Sequence, residues 1–131
     1  MLSTEHGVEG DRWTHSQRRD PRAQVTLMSA RVAALVAHDD VPLHAAGDNL
    51  LVDFDLCETA LPIGTRVRIG EALVEISDKA HTGCKKFGAR FGEEALAWVN
   101  EERHRSRRLR GVNARVLESG AVVLGDQLRR V

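Results

Sequence analysis

Hydrophobic and polar positions alternate in two different rhythms along this chain, and some stretches follow neither. Residues 1–23 carry Gly7, Gly10, Arg12, His15, Arg18, Arg19 and Arg22 with no apolar repeat, which reads as a loop. Residues 24–28 place Val25 and Leu27 on one side and predict a short strand. Ser29 is suited to cap a helix, because its hydroxyl can take up a free first-turn amide. Val32, Leu35 and Val36 follow at helical spacing, so a helix is expected over about 29–38, ended by Asp39, Asp40 and Pro42. From residue 49 the rhythm is that of strands. Residues 49–54 form one, Leu61-Pro62-Ile63-Gly64 is a turn, and 66–69 with 73–76 make a hairpin across Gly70-Glu71. Val67 and Ile69 alternate with Arg66 and Arg68, which gives the hairpin one buried and one wet face. Residues 91–108 are expected to form the longest helix, with Phe91, Ala95, Leu96 and Val99 as its apolar stripe. Acids at 93 and 94 open that helix and arginines crowd its end, both in keeping with the helix dipole. The chain closes on short strands at 113–117, 122–124 and 127–131, separated by Ser119-Gly120 and Gly125-Asp126 turns. Short strands between glycine turns, with few helices, predict a mainly β fold, a small barrel with helices at about 29–38 and 91–108.

Composition narrows the class. The chain has 131 residues, 42% of them hydrophobic and 29% charged, the profile of one globular domain spanning 1–131. No run approaches the roughly 18 apolar residues of a membrane span, and residues 1–13 hold no stretch fit for a signal peptide. A cytoplasmic protein with no membrane association is expected, and Cys57 and Cys84 are expected as free thiols. Lysines and arginines balance aspartates and glutamates at 19 each. From Lys79 to Arg115, however, ten basic residues face four acidic ones. Such a local positive field suits an anionic partner such as a phosphate-bearing cofactor, while Arg103, Arg105, Arg107, Arg108 and Arg110 are equally readable as solvated groups at a helix end. Nucleic acid is not expected as a partner, because the few aromatics do not interleave with a basic face.

Candidate chemistry centres on His81-Thr82-Gly83-Cys84-Lys85-Lys86-Phe87-Gly88-Ala89-Arg90-Phe91-Gly92. Gly83 lets the backbone bend and leaves one flank of the Cys84 sulfur open, while Lys85 and Lys86 favour thiolate over thiol. The alternative is a buried, inert cysteine. Cys57 has no basic neighbour and reads as a partly buried spectator. The turn at Gly10-Asp11-Arg12, followed by His15, could supply polar groups to a pocket, though a surface loop needs no such role. His38 and His44 read as exposed polar residues, since a zinc site would need several ligands at close spacing.

His81-Thr82-Gly83-Cys84-x-Lys86-Phe87 with Ala89-Arg90-Phe91-Gly92, then Arg110-Gly111-x-Asn113-Ala114-Arg115-Val116, then Gly120 and Gly125-Asp126, resemble the cysteine block and closing strands of the MOSC domain family. That family is named for the C-terminal domain of molybdenum cofactor sulfurase, and the likeness is to its small stand-alone bacterial type. Gly7-Val8-Glu9-Gly10-Asp11-Arg12 resembles its early turn, and Gly47-Asp48-Asn49-Leu50 the start of its central strand, where a glutamate usually stands in place of Asp48. The resemblance covers nearly the whole chain.

The resemblance implies a barrel-like fold and a cysteine, Cys84, that either ligates molybdenum in the molybdenum cofactor (molybdopterin) or carries sulfur as a persulfide. A soft thiolate suits both roles. It further implies His81, Thr82, Lys86 and Asn113 as site residues, and Arg12, Arg90 and Arg110 as candidates for the cofactor phosphate. Relatives occur fused to a pyridoxal-phosphate-dependent sulfurase domain or as parts of enzymes that reduce N-hydroxylated compounds. This chain shows no lysine in a pyridoxal-phosphate setting and no Gly-x-Gly-x-x-Gly motif, so a catalytic cycle would need an electron- or sulfur-donor protein. Family members usually carry a further strand before the first glycine turn; without it a barrel edge is open, and a homo-oligomer is expected to cover it. The functional alternative is an interaction domain that keeps the fold without the chemistry.

Overall fold

The computed structural model describes residues 1–17, 19–37 and 41–131. A small hairpin, β1 (Leu2–Ser3) with β2 (Gly7–Val8), precedes the main sheet. That sheet is built from β3 (Val25–Ser29), β4 (Leu50–Val52), β5 (Arg66–Ile69), β6 (Ala72–Ile76), β7 (Val112–Glu118) and β8 (Leu128–Arg130), in the order β4-β3-β7-β6-β5-β8. Only β3 and β4 run parallel, and the sheet curls into a half-barrel. Among the described residues the helices α1 (Ala30–Val36), α2 (Lys85–Phe91) and α3 (Glu93–Asn100) accompany the sheet, with short 3-10 turns between elements. Among the described residues no helix is long and apolar enough to cross a membrane.

Strand alternation sorts the side chains into two cores. Val25, Leu27, Val67, Val74, Ile76 and Ala114 point inside the curl, where all are fully buried or nearly so. Met28, on the opposite face of β3, joins Ala33, Val36, Phe87, Phe91, Val99 and Leu109 in a second core beneath the helices. Phe87 and Phe91 stack one turn apart with ring centroids at 4.8 Å, and burying each stabilises the fold by about 1.5–3 kcal/mol. This second core fixes α2 and α3, and through them the segment that carries Cys84.

The expected hairpin stands as read, with Val67 and Ile69 buried and Arg66 exposed. Several other expectations need correction. The helix expected over 91–108 is α3, which ends at Asn100 before a 3-10 turn at Glu102–Arg107, while the stretch after Cys84, expected as a loop, forms a separate helix, α2, ended by Gly92. Gly92 adopts φ 98° and ψ 160°, a conformation open essentially to glycine alone, and it turns the chain between the two helices. The N-terminal region is not all loop, since Leu2 is buried in the main core and pairs with Gly120. Residues 122–124 form no strand; Val123 and Leu124 lie exposed in the loop before β8. Ser29 occupies the cap position of α1 but its hydroxyl makes no capping bond, and Leu35 is 72% exposed rather than packed. The end of that helix at His38, its breakers Asp39 and Asp40, and Arg18 in the first loop lie outside the described residues.

Candidate functional site

From the end of β6, residues 77–84 cross toward the helices without regular structure. Side chains fasten them. Ser77 donates its amide to the Asn113 carbonyl (3.0 Å) and its hydroxyl to the Arg22 carbonyl (2.6 Å). The buried Asn113 donates from Nδ2 to the carbonyls of Lys79 (3.2 Å) and Ala80 (3.4 Å). His81 meets Asp48 through Nε2 and Oδ1 at 3.0 Å. Asn100, at the end of α3, accepts the Gly83 amide at 2.8 Å and donates to the Gly83 carbonyl at 3.0 Å.

Cys84 follows these anchors. Its backbone is extended, its side chain is exposed, and its carbonyl accepts the Gly88 amide of α2. The sulfur lies at the cap position, where the first-turn amides of a helix lack partners within the helix. The nearby Phe87 and Lys86 amides lower the thiol below its ordinary range, burial raises it, and the charges of Arg110 and Lys86 lower it further, although the sulfur makes no capping hydrogen bond.

Behind the loop lies an ion-paired network. The Asp48 carboxylate, with its side chain 1% exposed, is shared between His81 and the Arg110 guanidinium. Arg110 also donates from Nη2 to the Ala46 carbonyl (3.1 Å), and its guanidinium sits 5.2 Å from the Phe87 ring centroid. Its Nε is buried without a hydrogen-bond partner among the described residues. A cleft of about 490 Å³ opens beside this network, with His81, Thr82, Arg108, Arg110, Asn100 and Asn113 in its walls. Cys84 is not part of those walls, but Thr82, two residues before it, is.

The expected site residues thus divide. His81, Thr82, Arg110 and Asn113 come together around the cleft, and Lys86 lies exposed in the first turn of α2, close enough for its charge to act on Cys84. Arg90 is exposed on α2 and donates to the Ala45 carbonyl at 2.8 Å. Arg12 is exposed in the 3-10 turn at Arg12–His15 and is not in the cleft wall. Arg110 is less available than expected, because Asp48 and Ala46 already hold both of its terminal nitrogens. Cys57 is half-buried and receives the Ala60 amide on its sulfur at 3.4 Å; both cysteines are free thiols. Two contributors were missed. Asp48 carried a signal, since the resemblance places an acidic residue there; Asn100 carried none. Among the described residues no three His, Cys, Asp or Glu side chains are grouped to hold a metal ion.

The sequence matches the family model of the MOSC domain over residues 11–129. No curated protein matches it. Among solved structures it is similar to YiiM from Escherichia coli, with a TM-score of 0.67 and 21% identity over 100% of this chain and 61% of that one. YiiM from Geobacillus stearothermophilus gives 0.63 and 20% over 85% and 55%, and a crystal structure described as a hypothetical protein gives 0.70 and 23% over 99% and 58%. These likenesses establish the fold, and the chain spans less than two thirds of the length of each of these structures.

Proposed function

We propose that this chain, which belongs to the MOSC domain family, is a module that binds the molybdenum cofactor through the Cys84 thiolate and works with an electron-donor protein as part of a reductase. The observation that carries this reading is an exposed sulfur at the start of α2, two residues beyond Thr82 in the wall of a cleft that Arg108 and Arg110 also line. The donor chemistry fits: a thiolate is a soft ligand, and with no three-residue ligand group among the described residues, the remaining donors would come from the pterin itself. When bound, the cofactor would supply a metal centre able to exchange electrons with a substrate.

The chain's own residues perform the rest. Cys84 offers the sulfur. Arg110 contributes positive charge beside it while Asp48 keeps that guanidinium in place, and His81, bound to the same carboxylate, borders the cleft where a proton would be needed. Lys86 and Arg90 are exposed cations on α2, and Arg12 is an exposed cation outside the cleft wall; these would be the candidates for a phosphate. Asn113 and Thr82 shape the wall. The test is elemental and pterin analysis of the chain purified from a host that makes the cofactor. Stoichiometric molybdenum and pterin in the wild type, lost in Cys84→Ala, is the expected result; a wild-type chain free of both sinks the reading.

The exposure of Cys84 outside the cleft walls favours a second reading, a sulfur carrier. Here the thiolate attacks the outer sulfur of a donor's persulfide, a new S–S bond forms on Cys84, and the donor sulfur leaves as a thiolate. Persulfide-sensitive labelling that finds Cys84 modified without molybdenum would select it. Absence of both metal and persulfide would leave an interaction domain.

A further inference from the structure

Among the described residues, no backbone group in 78–83 is bonded to another backbone group. The path that delivers Cys84 is therefore set by side chains. Asn113 acts at 79 and 80 and Asp48 at 81, but only one anchor touches the residue immediately before the sulfur. Asn100 grips both backbone groups of Gly83 with a single amide, as acceptor at 2.8 Å and donor at 3.0 Å. Glycine eases the close approach, because a Cβ at position 83 would lie 2.8 Å from Leu96 Cδ1, 3.0 Å from Val99 Cγ2 and 3.2 Å from Asn100 Oδ1, so those side chains would have to give way. Asn100 is itself well placed to act as a fixed point. It ends α3, and its neighbour Val99 is buried in the second core.

We propose that Asn100 is a positioning residue for Cys84: its amide pins Gly83 against α3 and so sets where the sulfur stands at the start of α2. The proposal rests on the reading of Cys84 as the reacting group, but not on which cofactor or partner it serves. An Asn side chain suits this task because it is both donor and acceptor in one rigid plane, and it can meet the N–H and C=O of one residue as a neighbouring strand would.

The test compares alkylation of Cys84 and Cys57 by iodoacetamide, in the same molecules at one fixed pH, for wild type, Asn100→Ala, Gly83→Ala and the double variant. Each single change should lower the Cys84-to-Cys57 rate ratio on the order of tenfold, since alkylation follows the thiolate fraction and one pKa unit changes that fraction about tenfold. The double variant should lose no more than the worse single one, since both remove the same contact. Amide exchange at Gly83 should quicken in Asn100→Ala and stay slow in Asn100→Asp, which still accepts the Gly83 N–H. An unchanged ratio in Asn100→Ala, additive losses, or a parallel change at Cys57 would each overturn the proposal. Should Asn100→Ala unfold, Gly83→Ala, which leaves the Asn100 amide intact, carries the same expectation. Failure of the functional reading looks different, because the clamp would still govern alkylation in a chain that carries neither molybdenum nor persulfide.

Discussion

At Cys84 the start of α2 and the nearby positive charges favour the thiolate. The Phe87 and Lys86 N–H groups stabilise the thiolate, with Arg110 and Lys86 charges behind them, so the folded-state value is depressed. The sign follows: between that value and the ordinary thiol value of about 8.5 the sulfur stays charged, and reactivity is lost only as pH falls through the lowered value. Alkylation rates measured against pH should place the Cys84 midpoint below that of a free thiol, with Cys84 modified before Cys57; an ordinary profile at Cys84, or first modification of Cys57, would contradict the assignment. Arg110 and Asp48 lead to a different expectation. Both side chains are almost fully buried, so removing one leaves the other as an uncompensated charge in a dry setting. Arg110→Ala or Asp48→Ala should cost about 3–5 kcal/mol in urea unfolding, whereas Arg105→Ala, at an exposed position, should stay within about 0.5 kcal/mol. A cofactor-retention assay therefore reads phosphate contacts more cleanly at the exposed Arg90 than at Arg110.

What the sequence made legible among the elements was whatever is local. The β5–β6 hairpin could be read because its alternation and its Gly70-Glu71 turn lie within a dozen residues, and the cysteine block could be read because glycine, sulfur and lysine are adjacent. The two-residue strands β1 and β2 are too short to show a period. The anchors of the site span 17 residues from Asn100 to Gly83, 33 from Asp48 to His81 and 62 from Asp48 to Arg110, distances over which no pattern announces a contact. The break between α2 and α3 was hidden for another reason. Phe91, Ala95, Leu96 and Val99 continue a helical stripe straight across Gly92, and only the glycine's backbone angles separate the two helices. Gly92 meets no atom within 4 Å that a Cβ would strike, so Gly92→Ala isolates the backbone cost. That substitution should destabilise the fold by about 1–3 kcal/mol without steric clash, measured by denaturant unfolding. A neutral Gly92→Ala would mean the break can be made by ordinary residues and that packing alone separates the helices.

Seen as a whole molecule, the half-barrel ends in two strands that have only one neighbour, β4 and β8. They are not equally bare. The helix α1 packs against β4, while β8 pairs with β5 and has no second strand partner among the described residues. The Gln127 carbonyl accepts from Gly70 and the Val131 amide donates to Arg66, so by the alternation of an antiparallel ladder the backbone groups of Leu128 and Arg130 face away from the sheet. Leu124 and Val123 stand exposed at the start of this edge. Arg129 and Arg130 are the kind of charged edge residues that discourage indiscriminate pairing, which leaves a matched second copy as the partner best able to satisfy the free backbone groups. We therefore expect this 131-residue chain to form a homodimer along β8. Light scattering at micromolar concentration should return twice the 14.5 kDa chain mass, and Leu124→Asp should shift the population toward monomer. A wild-type monomer under those conditions would show that the arginines alone protect the edge.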